Sequence, residues 1–183
     1  MPDLGLVVDT TKSLKESNIP VLKEVLSLLV KEFDISENKT HVSLETFNKK
    51  AQVHNKFNDP NYWSVDAVLD LINTSIDKLK QPTRLDYALE KANGTMFTEA
   101  NGDRPGERNV MVMLTDGRTH ENTDLVKYEA YLKALKVIII QMALFSKPIY
   151  KSKVSLKQRL FCIDSNCPQY VSSGLGMNRN YSQ

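Results

Sequence analysis

Three short stretches of this chain carry the side chains whose types and spacing could do chemistry. Asp9-Thr10-Thr11-Lys12-Ser13 follows one apolar run, and Thr115-Asp116-Gly117 follows another. Between them, Pro82-Thr83-Arg84 stands just ahead of Leu85 and Ala88-Leu89. Together they offer two carboxylates, Asp9 and Asp116, and three hydroxyls, Thr11, Ser13 and Thr83. Hard oxygens at that density suit Mg²⁺, which takes an octahedron at about 2.0–2.1 Å and usually keeps some waters. Mn²⁺ and Ca²⁺ are the alternative occupants. Thr11 and Ser13, two apart on a bending loop, can both turn inward. So few carboxylates leave such an ion incompletely neutralised, and a partner's Asp or Glu can complete it with a charge-assisted bond. Each stretch alone is ordinary, because Asp9, Thr11 and Ser13 also serve as helix caps and Asp116-Gly117 as a plain turn. The argument rests on all three occurring in order, each at a strand end or a helix start.

The elements that must position these residues follow from periodicity. Leu4 to Val8 is a continuous apolar run, which predicts a strand buried on both faces. Leu22, Val25, Leu26, Leu29 and Phe33 recur at helical spacing, with Pro20 suited to a first turn. His41 to Phe47 alternates, with Val42, Leu44 and Thr46 on one side, and Ala51 to His54 follows as the second arm of a hairpin. Amphipathic stretches over Val65 to Leu79 and Leu85 to Phe97 precede the apolar strand Asn109 to Leu114. A helix from about Asp124 to Leu135 and an apolar run from Val137 to Leu144 complete the pattern. Strands separated by helices predict an α/β fold, a doubly wound, mostly parallel sheet with helices on both faces. The hairpin adds one antiparallel edge strand. In such sheets ligands bind at the carboxyl ends of the strands, near the point where strand order reverses.

Residues 145 to 183 do not continue this pattern clearly. Lys147 to Arg159 carries five basic residues and no acid, either a solvated helix face or a basic contact surface for an acidic partner. Cys162 and Cys167 lie close together and read either as a small disulfide loop or as two unpaired thiols. Two sulfurs alone do not make a structural zinc site.

Composition narrows the function classes. Hydrophobic residues make up 41% and charged residues 25%, an ordinary globular mixture for a single domain over residues 1–183. A net charge of +2 without a dense basic block argues against nucleic acid. The longest apolar run is far short of the ~20 residues needed to span a bilayer, so direct membrane insertion is not expected. Met1-Pro2-Asp3-Leu4 leads directly into a strand without a signal peptide, so a secreted form is expected to be part of a longer chain. Asn-x-Ser/Thr sequons at Asn38, Asn73, Asn93 and Asn180 exceed the chance expectation and favour secretion.

These residues carry a family likeness. Asp9-x-Thr11-x-Ser13 resembles the Asp-x-Ser-x-Ser signature of the metal-ion-dependent adhesion site in von Willebrand A and integrin I domains. Thr83, five residues before Ala88-Leu89, sits where that family places its loop threonine. Val112-Met113-Leu114-Thr115-Asp116-Gly117 looks like the family's apolar strand ending in Thr-Asp-Gly, and Asp3 to Asp9 fits its opening strand. The likeness spans roughly residues 3 to 144, and residues 145–183 match poorly, without the family's last strand and closing helix. It implies a Rossmann-like fold and direct ion contacts from Thr11 and Ser13, with Thr83 joining when a ligand is engaged. Asp9 and Asp116 would act through water or by switching to direct contact. It implies an extracellular module that binds a matrix or cell-surface protein presenting Asp or Glu. Arg84, Arg118, Thr119 and His120 would form the rim. Three departures stand out: Thr11 replaces the usual serine, Lys12 lies between two ligands, and Asp86 occupies a position where the family often has a small residue.

Two other functions compete. A structural matrix domain with a weak or empty metal site has the same sequence features. A Mg²⁺-dependent phosphatase would use Asp9 as nucleophile, but that chemistry wants a second carboxylate two residues on, where this chain has Thr11. No nucleophile elbow or glycine-rich phosphate loop is present, so no enzymatic activity is expected.

Overall fold

The computed structural model describes residues 1–76, 79, 83–115, 127, 130, 137–143 and 157–161. A six-stranded sheet organises them, in the order β3-β2-β1-β4-β5-β6. The strands are β1 (Pro2–Asp9), β2 (His41–Phe47), β3 (Ala51–Val53), β4 (Arg108–Thr115), β5 (Ile138–Ala143) and β6 (Lys157–Phe161). Strands β2, β1, β4 and β5 run parallel, and β3 lies antiparallel to β2 as the predicted hairpin edge. The opposite edge differs from expectation. Lys157–Phe161, which begins within the basic stretch Lys147 to Arg159 read as a helix face or contact surface, is a second antiparallel strand, paired with β5. Charged residues are common on sheet edges, where they oppose pairing with other chains, and that obscures a strand in the sequence.

Three helices are described, α1 (Ile19–Lys31), α2 (Val65–Ser75) and α3 (Leu85–Lys91). Pro20 occupies the first turn of α1, where its missing N–H costs nothing. The Ser64 hydroxyl accepts from Ala67 N at the start of α2. Helix α2 ends at Ser75, short of the expected Leu79, and α3 passes into a π-helical turn over Ala92–Met96. Within the helix expected from Asp124 to Leu135, Lys127 and Ala130 are described, and both are helical. The two helical layers divide the core. Leu22, Leu26 and Val30 of α1 and Val68 and Ile72 of α2 pack on Leu4, Leu6, Val8, Leu44 and Leu114. On the other face Leu85, Ala88 and Leu89 of α3, with Ala92 and Met96, cover Val7, Phe47, Met111 and Met113. Alternate residues of β1 and β4 therefore face opposite layers, and both strands need continuous apolar sequence. Gly5 interrupts that run for a steric reason. A Cβ there would lie 2.6 Å from both Met96 Sδ and Phe97 Cζ.

Strand β2 departs from the simple alternation. All seven of its residues are buried, including Ser43 and Glu45 on the side that the pattern leaves for solvent. Asn55, just past β3, takes over where that short strand ends. Its side chain accepts from Leu44 N and donates to Val42 O, both at 2.8 Å, in place of a longer partner strand.

Among the described residues no helix is long and apolar enough to cross a membrane. Cys162 and Cys167 lie outside the described residues.

Candidate functional site

The chain builds β1, β2 and β3 on one side and β4, β5 and β6 on the other, so strand order reverses between β1 and β4. That reversal is where an open α/β sheet leaves a crevice at its carboxyl edge. Asp9 is the last residue of β1 and Thr115 the last of β4, and both are fully buried. The Thr115 hydroxyl donates to Asp9 Oδ2 at 2.9 Å across the switch point. The other carboxylate oxygen, Oδ1, accepts from Thr11 N at 2.9 Å. Asp9 is thereby fixed at both oxygens and bends the chain back on itself immediately after the strand.

The bend aims the next side chains. Thr11 is fully buried and Ser13 partly so, and their hydroxyl oxygens lie 2.8 Å apart. Lys12 between them is exposed, whereas the two hydroxyl residues are not. An octahedral ion with oxygen ligands at about 2.0–2.1 Å has neighbouring ligands separated by about 2.9 Å. The two hydroxyls are hydrogen-bonded to each other at the usual O–H···O distance. That separation is also close to one octahedral edge, so a small hard cation could replace the shared proton without moving either oxygen far.

Leu14 closes the loop by burying its side chain, and Lys15 turns it toward α1 with φ at 61°. A lysine at positive φ is strained by contact between its Cβ and its own backbone, whereas glycine is not. Lys15→Gly is expected to raise stability by about 1 kcal/mol, read as a higher denaturation midpoint. No change would show that the loop adopts another backbone in solution.

Thr83 is buried immediately ahead of α3. What ties its loop to the first is Asn48, a residue that motif reading passes over. Asn48 Nδ2 donates to Thr10 Oγ1 at 3.0 Å, and Asn48 O accepts from Arg84 N at 3.1 Å. Thr10 is held in turn by Phe47 O, which accepts its N–H at 2.8 Å and its hydroxyl at 3.1 Å. Position alone was the available signal: Asn48 directly follows a strand whose carboxyl end borders the crevice.

Arg84, expected on the rim, is committed locally. Its Nε and Nη2 donate to the two carboxylate oxygens of the buried Asp86 at 2.9 and 2.5 Å, and its guanidinium lies 3.9 Å over the Tyr87 ring. The hydrogen bond to Asp86 holds the guanidinium pKa above its already high ordinary value. The same pair accounts for an acid where a small residue is usual, since Asp86 has its countercharge two residues away. Asp116, Arg118, Thr119 and His120 lie outside the described residues. Among the described residues no group of three or more His, Cys, Asp or Glu forms a metal cluster. The described donor set is one carboxylate with neutral hydroxyls.

Known proteins share this arrangement of sequence and fold. The von Willebrand factor type A domain family model matches residues 3–163. Vitrin of Mus musculus is 27% identical over 154 residues, covering 77% of this chain and 21% of vitrin. Matrilin-3 of Gallus gallus is 23% identical over 141 residues, covering 75% of this chain and 30% of matrilin-3. The chain thus spans less than a third of either relative. Vitrin and the matrilins are extracellular matrix proteins, and the chain shares that extracellular location. Among solved structures, proximal thread matrix protein 1 of the mussel byssus, with its metal-ion-dependent adhesion motif occupied by zinc, superposes with a TM-score of 0.66. The two are 21% identical, over 76% of this chain and 35% of that one. The manganese-loaded TRAP protein of Plasmodium vivax gives a TM-score of 0.69 at 15% identity, over 80% of this chain and 58% of that one. Likeness at these identities shows the fold.

Proposed function

Because the chain belongs to the von Willebrand factor type A domain family, we propose that the carboxyl edge of its sheet is a metal-ion-dependent adhesion site. It takes Mg²⁺ and grips an Asp or Glu on an extracellular matrix or cell-surface protein. The observation that carries this reading is the hydroxyl pair of Thr11 and Ser13, 2.8 Å apart and braced from behind by Asp9. Thr11 and Ser13 would hold the ion directly, Thr83 would join when a ligand is engaged, and Asp9 and Asp116 would act through water or direct contact. Bound there, the ion would supply a positive centre that accepts a partner carboxylate. The chain's own residues do the rest. Asp9 orients the Thr11 backbone, the buried Thr115 hydroxyl fixes Asp9, and Asn48 keeps the Thr83 loop against the first loop. Arg84, Arg118, Thr119 and His120 would frame the opening and set which acidic partner fits.

Mg²⁺ calorimetry on the wild type and on Ser13→Ala tests the site. The wild type is expected to bind, and Ser13→Ala to bind at least about tenfold more weakly, a loss of about 1.4 kcal/mol. Chelation is expected to release an acidic protein partner from the wild type. Equal Mg²⁺ affinity in both proteins would remove Ser13 from the site. A wild type silent at millimolar Mg²⁺, with partner binding indifferent to chelator, would instead assign the chain as a structural matrix module.

A further inference from the structure

Two surface asparagines stand apart from the adhesion edge and share a second chemistry. Asn38-Lys39-Thr40 and Asn73-Thr74-Ser75 both satisfy the acceptor pattern for N-linked glycosylation, and both asparagines are exposed. Asn38 lies in the turn between α1 and β2. The turn is held by Lys39 N donating to Ser36 O, by Thr40 N donating to Asp34 O, and by a 2.8 Å contact between His41 Nε2 and Glu37 O. The backbone there is fixed from several sides while the Asn38 side chain remains open to solvent. The turn enters β2 at its start, so it belongs to the amino edge of the sheet, opposite Asp9 and Thr115. Asn73 lies in the last turn of α2, where its carbonyl accepts from Lys23 Nζ of α1 at 2.8 Å and its side chain faces outward.

We propose that Asn38 and Asn73 carry N-linked glycans, placed by the fold on the amino edge and on the α1–α2 layer. In the modification the side-chain amide nitrogen attacks the anomeric carbon of a polyprenyl-pyrophosphate-linked oligosaccharide. A C–N bond forms as the C–O bond to pyrophosphate breaks, the polyprenyl pyrophosphate leaves with the electron pair, and the amide loses one proton to a base. The inference rests on the extracellular location, since the glycosyl donor meets chains only on the secretory route. Asn93 also begins a sequon but is half-buried in the π-helical turn, beside fully buried Ala92 and near fully buried Met96, where a bulky sugar would oppose packing. The glycans would bar close protein contact over the α1–α2 layer. The loops of Asp9, Thr11, Ser13 and Thr83 contain no acceptor.

The test is secretion of the full chain from eukaryotic cells behind a cleavable leader, followed by peptide mapping before and after enzymatic removal of N-glycans. Because the leader forces the chain along the secretory route, the outcome does not depend on where the natural protein resides. Expected are glycopeptides containing Asn38 and Asn73, converted to Asp on deglycosylation. Asn38→Gln and Asn73→Gln should each remove one glycan without loss of the folded state, because both side chains are exposed. A secreted, folded chain bare at both positions overturns the proposal, and bareness at one position overturns it for that residue. Native chain from tissue that lacks sugars occupied on the forced route would count against the extracellular location instead.

Discussion

Asp9→Asn is expected to abolish measurable Mg²⁺ binding while leaving the domain folded. The amide keeps one oxygen to accept the Thr11 N–H, and the Thr115 hydroxyl can rotate to accept from the new NH₂ group. The loss in stability should therefore stay within about 1 kcal/mol. The cation loses the negative charge that the site sets against it, so its affinity falls far more than the fold's stability. Asp9→Ala differs in kind. It leaves a buried N–H and a buried hydroxyl without the partner they share, at a cost of about 2–3 kcal/mol. Calorimetry with Mg²⁺ and a urea titration on all three proteins separates the roles. If Asp9→Asn binds Mg²⁺ like the wild type, Asp9 is a structural strand-end residue and the site needs another anchor.

Glu45→Met is expected to stabilise the protein at neutral pH by about 2 kcal/mol. Glu45 sits in the middle of β2, opposite Val7 of β1 and Val53 of β3, with no solvent exposure. Neither carboxylate oxygen has a hydrogen-bond partner. Burial pushes its pKa well above the ordinary carboxylate value, and the Lys91 ammonium pulls it back by less. The sign of the pH dependence follows. A carboxyl with a raised folded-state pKa contributes fully below the ordinary carboxylate range, and that contribution is lost as pH rises through the raised value. Wild-type stability should therefore fall with increasing pH above the ordinary carboxylate range, and the slope should flatten in Glu45→Met. Methionine matches the side-chain length and is flexible enough to fill the space between sheet and α3 without unpaired polar atoms. Thermal unfolding at mildly acidic and mildly alkaline pH measures both effects. A destabilised Glu45→Met with an unchanged slope would show that the carboxylate has a partner in solution.

The unexpected burial of Glu45 and the ease of picking out candidate site residues have one explanation in the kind of signal a sequence carries. Alternation across His41 to Phe47 reports that one face of β2 meets a core. It does not report that α3 and its π-helical turn cover the other face as well, and Glu45 is polar yet fully buried. Likewise the charges of Lys157–Phe161 concealed a strand, because an edge strand needs neither alternation nor apolar faces to pair with β5. The short polar stretches after β1 and β4 stand out as candidates in the sequence because strand ends in a parallel sheet are functional ground whatever the detailed register.

The sequence by itself determined the layers and the candidate donors. Apolar runs that lie buried on both faces, helical periodicity between them and a hairpin specify a doubly wound sheet, and Asp9, Thr11, Ser13 and Thr83 fall at its carboxyl edge through local chain order. Only the tertiary structure decided how they are held. The Asp9–Thr115 bond joins residues 106 apart, and Asn48 links the Thr10 loop, 38 residues before it, to the loop at Arg84. Such contacts depend on strand order and register, which periodicity within a segment does not contain. The hydrogen-bonded pairing of the Thr11 and Ser13 hydroxyls is likewise a product of the bend that Asp9 holds.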